Sequence, residues 1–177
     1  SLFIFSCDEE EKDCPEELSN CSSSDLNVIK DIKSINNHID WSSYHYSDFG
    51  VWSDGRLTSL GLHSDELSFI DDADTLGGIQ ALPESIENLT ELTTLSITGH
   101  SALNVIPSLM NLTKLKYLHL SRNNLTSLPA LLGLNNLKEL DFSNNQISEI
   151  SWHVMTLNSL ELLGGGDNPL SIIPNNI

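Results

Sequence analysis

Leu92-Thr93-Thr94-Leu95-Ser96-Ile97 is followed by Leu115-Lys116-Tyr117-Leu118-His119-Leu120 and then by Leu137-Lys138-Glu139-Leu140-Asp141-Phe142. The opening leucines stand 23 and then 22 residues apart, and a fourth copy opens at Leu160, another 23 on. A chain that repeats at this interval winds into stacked turns, because each unit can bury its apolar face only against its neighbours. Within each copy the Leu-x-Leu alternation specifies a short strand with every second side chain facing inward. An earlier unit opens at Leu57 with Leu60 and Leu62 and resumes at Ile79, Leu82-Pro83, Ile86 and Leu89. It carries an insertion between Asp65 and Gly78.

Eight residues past the opening leucines stand Asn123, Asn145 and Asn168. A buried amide at that place can satisfy backbone groups where the chain turns out of the strand. Asp65 and His100 hold the place in the first two units, and those two turns are expected to be less well held. Units close on Ile106-Pro107, Leu128-Pro129 and Ile173-Pro174, whereas one carries Trp152 and Met155 and no proline. On these residues the chain is identified as a member of the leucine-rich repeat family. The resemblance implies an α/β solenoid, with a parallel sheet on the concave face and irregular or 3-10 segments on the convex face. It also implies a binding surface rather than a reaction.

Ahead of the repeats, Leu26, Ile29, Ile32, Ile35 and Ile39 keep helical spacing, with Lys30, Lys33 and Asn36 mostly on the other side. Asp25 is suited to cap the first turn, and Asn36-Asn37 is a plausible stop. Trp41, Gly50-Val51-Trp52 and Gly55-Arg56-Leu57-Thr58 follow. This order resembles the N-terminal cap of plant-type and bacterial leucine-rich repeat proteins. A first turn has no upstream neighbour and needs a cover, which Trp41, Trp52, Tyr44, Tyr46 and Phe49 have the apolar area to supply. The expected organisation is therefore residues 1–6 as the end of a signal peptide, 7–24 as an acidic tether, 25–56 as cap and 57–177 as repeats. The last unit is expected to be incomplete.

The formal charge of −17 is concentrated early: through Glu91 there are 20 acids and 4 bases, and from Leu92 onward 5 acids and 4 bases. Clustered bases for phosphate are lacking, so no nucleic-acid partner is expected. Apolar Leu2-Phe3-Ile4-Phe5, small Ser6 and Cys7, followed by Asp8-Glu9-Glu10-Glu11, resemble the end of a lipoprotein signal peptide and the surface-export signal of Bacteroidetes lipoproteins. The resemblance implies lipidation of Cys7, a membrane anchor and a cell-surface, outer-membrane location. The alternative is an ordinary apolar segment and an ordinary thiol. If Cys7 is acylated, Cys14 and Cys21 remain to pair as a disulfide in an oxidising compartment. A metal site there would want about four ligands at short spacing. Asp71, Asp72 and Asp74 in the insertion are weak calcium candidates, since their spacing departs from the loop pattern that calcium favours. No metal or other cofactor is expected.

Side chains between the buried leucines point out from the sheet. The columns read Ser59, Thr94, Tyr117, Glu139, Leu162; then Gly61, Ser96, His119, Asp141, Gly164; then His63, Thr98, Ser121, Ser143, Gly166. Tyr117, His119 and Arg122 beside Glu139 and Asp141, flanked by Thr94 and Ser96, form the patch where an aromatic, bases and acids converge. Tyr and Arg are common interface anchors. No nucleophile is held by a base and no phosphate loop is present, so catalysis is not expected. The expected function is binding of a protein partner at the concave face. Alternatives are an ectodomain fragment of a larger receptor and an adhesin for surface polysaccharide.

Overall fold

The computed structural model describes residues 22–39, 41, 49–63 and 78–171. Helix α1 (Ser23–Ile35) is followed by strands β1 (Gly50–Ser53), β2 (Arg56–His63), β3 (Thr94–Thr98), β4 (Tyr117–His119), β5 (Glu139–Asp141) and β6 (Leu162–Gly164). They form one six-stranded sheet in sequence order. β1 pairs antiparallel with β2, and every later neighbour is parallel. Two short 3-10 helices, Glu84–Asn88 and Trp152–Thr156, lie on the returning side. Among the described residues they occur in the two units with six residues from Pro83 to Leu89 or from Ser151 to Leu157; the units with five, from Pro107 to Leu112 and from Pro129 to Leu134, form none.

The register follows the repeat: Leu60, Leu95, Leu118, Leu140 and Leu163 pair in turn as one row. The first four are fully buried, and Leu163 in the last described strand is 39% exposed. Leu62, Ile97, Leu120 and Phe142 line a second buried row. At about 1.5–3 kcal/mol per buried aliphatic side chain, these rows dominate the stability.

Asparagines tie successive turns together. Asn145 Nδ2 donates to Leu120 O across the repeat boundary (2.8 Å) and to Phe142 O (2.9 Å), while its Oδ1 accepts from Leu125 N (2.9 Å). Asn123 and Asn168 repeat the pattern on Ile97 O and Phe142 O. At His100, where the turn is expected to be less well held, the ring makes the ladder's two kinds of bond at longer distances than Asn145 does. His100 is fully buried; its Nε2–H donates to Leu62 O (3.0 Å) and its Nδ1 accepts from Ile79 N (3.3 Å). The two nitrogens of a neutral imidazole thus stand where the amide's donor and acceptor stand elsewhere. The residue before each ladder position is left-handed: Gly99, Arg122, Asn144 and Asp167 have φ of 85°, 57°, 56° and 54°.

The cap helix departs from expectation in two places. Asp25 does not cap the helix. It is fully buried, and its Oδ2 accepts from Arg56 Nε and from Leu57 N, both at 2.9 Å. That ion pair holds the Arg56 guanidinium pKa above its usual value, first through the hydrogen bond that Arg56 donates to Asp25. Ile35 is exposed, and Asn36 takes the buried place on the helix face instead, four residues after Ile32. Asn36 Nδ2 donates to Ile32 O and Ala81 O, and its Oδ1 accepts from Gln80 N and Ala81 N. Trp41 and Trp52 pack partly buried against the core, with Phe49 inside it. Asp54 and Gly55, with φ of 50° and 74°, make the tight turn that joins β1 to β2. Cys7, Cys14, Cys21, Tyr44, Tyr46, Asp65, Asp71, Asp72 and Asp74 lie outside the described residues.

Candidate functional site

Parallel pairing turns the sequence columns into physical rows. Thr94 faces Tyr117, Tyr117 faces Glu139 and Glu139 faces Leu162; alongside, Ser96, His119, Asp141 and Gly164 pair in order. Period-2 alternation sends these side chains to the face opposite the leucine row. Six of the expected binding residues, Thr94, Ser96, Tyr117, His119, Glu139 and Asp141, therefore share one surface on three adjacent strands.

Two contacts pre-set that surface. His119 Nε2 lies 3.3 Å from Glu139 Oε1, close enough for an ion pair when the ring is protonated. The geometry does not make a hydrogen bond, so the nitrogen is left without one. Asp141 Oδ1 accepts from Ser143 N (3.0 Å) and Ser143 Oγ (2.7 Å), which holds the carboxylate along the sheet. Gly164 leaves room for it: a Cβ there would stand 2.7 Å from Asp141 Oδ1. Further back, His63 Nδ1 meets Thr98 Oγ1 at 2.7 Å. Tyr117 is 39% exposed, a large aromatic in solvent, and Leu162 two strands on in the same row is 55% exposed.

Arg122 sits apart from the strands. It is exposed in the left-handed turn after β4, where its N–H donates to Ser143 O (2.9 Å). It forms no ion pair with Glu139 or Asp141 among the described residues. Among those residues, no group of three or more His, Cys, Asp or Glu could hold a metal ion.

Asp25, Arg56, Asn36 and His100 are the polar groups that sequence reasoning left out of any site. The structure gives Asp25, Arg56 and Asn36 to the joint between helix and first unit, and His100 to the joint between first and second units. A charged residue on an apolar helix face, with a lone arginine opening the first strand, was the available signal for the first pair.

Residues 113–155 match the leucine-rich repeat family, as two copies of its repeat. No curated protein matches the chain. Among solved structures, the chain is similar to the leucine-rich repeat ectodomain of the receptor kinase SOBIR1 from Arabidopsis thaliana. The identity is 21% and the TM-score 0.50, over 87% of this chain and 97% of that one. Domains of this kind are generally protein-interaction scaffolds. Residues 113–155 thus carry leucine-rich repeats, and the likeness to the ectodomain shows the same solenoid fold over most of the chain.

Proposed function

We propose that the protein is an extracellular, membrane-anchored binding module that captures a protein partner on its concave sheet. The observation that carries this reading is the register that gathers Tyr117, His119, Glu139 and Asp141 on neighbouring strands with Tyr117 in solvent. The surface acts by being formed in advance: Ser143 fixes Asp141, and the leucine row fixes the strands, so little side-chain freedom is lost on association. Arg122, exposed and without an ion pair among the described residues, supplies a cation at the rim. Capture of a partner from the protein's own source, compared between wild type and the double variant Tyr117→Ala/Arg122→Ala, tests it. Capture is expected to fall at least ~10-fold, since anchors of these types commonly contribute about 2 kcal/mol. Unchanged capture removes the patch from the reading.

The anchor is proposed at Cys7, with Cys14 and Cys21 paired. Metabolic labelling with a fatty-acid analogue should mark the wild type and spare Cys7→Ala; an unlabelled wild type removes the anchor. The likeness to a receptor-kinase ectodomain favours a second reading, in which the chain is the recognition portion of a larger signalling receptor. An unlabelled chain encoded together with a downstream kinase would favour it.

A further inference from the structure

The side of the solenoid away from the sheet carries a second surface, which binding at the concave face does not use. Residues 101–113 and 123–137 contain no Asp, Glu, Lys or Arg, and residues 142–160 contain Glu149 alone. The corresponding stretch of the first unit, residues 79–91, carries Glu84, Glu87 and Glu91. Solvated surfaces are ordinarily about 25–35% charged, and the first unit shows that this fold accepts charge there. In the uncharged segments large apolar side chains stand in solvent: Met110 is 41% exposed, Leu132 43% and Trp152 61%.

These residues belong to one band. Met110 and Leu132 each precede a fully buried leucine, Leu112 or Leu134, by two residues and so share one place in adjacent units. Leu109 N donates to Ala130 O (3.2 Å), which holds the two segments side by side. Met155 has the same place in the next unit and packs partly buried against the core. Trp152 opens that unit's 3-10 helix. Its ring stacks on His153 at 3.9 Å, and His153 Nδ1 meets Ser151 Oγ at 2.7 Å, so the indole is held in place.

We propose that this uncharged convex band is a self-association surface whose occupant is the same band of a second copy of the chain. The charge distribution selects that occupant. Residues from Leu92 onward hold 5 acids and 4 bases, while the first 91 residues hold 20 acids and 4 bases. Two copies joined band to band in antiparallel sense bring their near-neutral halves together and keep their acidic halves apart. With Glu149 its one charged side chain, the band offers little to an ionic ligand, and against its own kind it brings at most that one carboxylate from each copy to the contact. A two-fold, self-complementary contact is also the commonest closed assembly. Large apolar patches in solvent mark such contacts.

Sedimentation velocity of the full chain over a concentration series tests the proposal. The wild type is expected to pass from monomer to dimer. Added salt should tighten the dimer, because it screens the −17 charge without weakening an uncharged contact. Leu132→Glu and Trp152→Glu should each weaken it at least ~30-fold, as loss of a central anchor does. Their circular dichroism should stay that of the wild type, since both side chains are in solvent in the monomer. Tyr117→Ala should leave the dimer constant unchanged, which separates this surface from the concave one. A wild type that stays monomeric at its highest soluble concentration overturns the proposal, as does a dimer indifferent to both glutamates. Trp152-dependent co-sedimentation of the monomer with neutral phosphatidylcholine vesicles would assign the band to lipid and overturn it equally.

Discussion

From β3 to β6 one bond pattern recurs: an asparagine reaches back to the end of the previous strand while the leucine behind it extends the buried row. Before β3 the same burial is held by contacts that occur once. Asp25 grips Arg56 and Leu57 N, Asn36 holds Gln80 and Ala81, and His100 stands in for an asparagine. An interior unit has a neighbour on each side and needs only a generic tie. The first unit has a helix on one side, and a helix offers no strand edge to copy, so polar side chains of α1 take over the bonding that a preceding repeat would supply.

The largest test of that difference is Asp25→Ala. It removes a fully buried carboxylate and leaves Leu57 N and Arg56 Nε without their acceptor. Breaking such a pair costs about 3–5 kcal/mol, to be read in urea unfolding. Because repeats hold chiefly to their neighbours, hydrogen exchange should speed up in α1 and β2 and leave β5 unchanged. Uniform acceleration along the solenoid would show that the cap and the repeats form one cooperative unit. The arginine's share of the pair should be indifferent to pH near neutrality. Asp25 holds the Arg56 pKa above its usual value, so the arginine's contribution is complete below the unfolded-state value and is lost only as pH rises through the raised one.

The two regions also differ in what could be read from residues alone. The leucine register, the columns Thr94–Tyr117–Glu139 and Ser96–His119–Asp141, and the asparagine ladder were legible because a period fixes them: a residue's role is set by its offset, and offsets are written in the chain. Asp25 was misread because helix capping is a local pattern, whereas its real partners lie 31 and 32 residues away. Ile35 was misread for a related reason. Its spacing suited the apolar face, but the residue in line with Ile32 is Asn36, whose burial depends on Ala81 and Gln80 arriving opposite it. The β1–β2 hairpin had a local signal in Asp54-Gly55, which passed as part of the cap.

His100 sharpens the comparison, since it joins the two regions. His100→Ala leaves Leu62 O and Ile79 N without their bonds and should destabilise by about 2–3 kcal/mol, two groups at the low end of the ~1–3 kcal/mol that each orphaned buried group costs. His100→Asn should recover most of that, because an amide offers the same donor and acceptor. Asn145→Ala should cost a similar amount through Leu120 O and Leu125 N. If His100→Asn were no better than His100→Ala, the imidazole would be serving a purpose the ladder does not share.

A narrower effect is expected at the open edge of the cap. Gly50 faces β2 so closely that a Cβ would stand 1.8 Å from Ser59 O, and Gly50→Ala must push β1 outward. A cost of about 1–3 kcal/mol follows from such overpacking, confined to β1 and β2 in amide chemical shifts.

The smallest effect belongs to the regular units. Lys114 pairs with Glu91 across a repeat boundary, as Arg56 pairs with Asp25 across the cap, but the side chains are 55% and 32% exposed against 32% and 0%. Water already solvates the Lys114 pair, and holding two long side chains in register offsets most of the attraction, so Lys114→Ala should cost less than ~0.5 kcal/mol. Denaturant midpoints in low and high salt should barely separate the variant from the wild type. The two pairs match in charge and nearly in geometry; burial of a single carboxylate makes one a fastening of the fold and the other a surface contact.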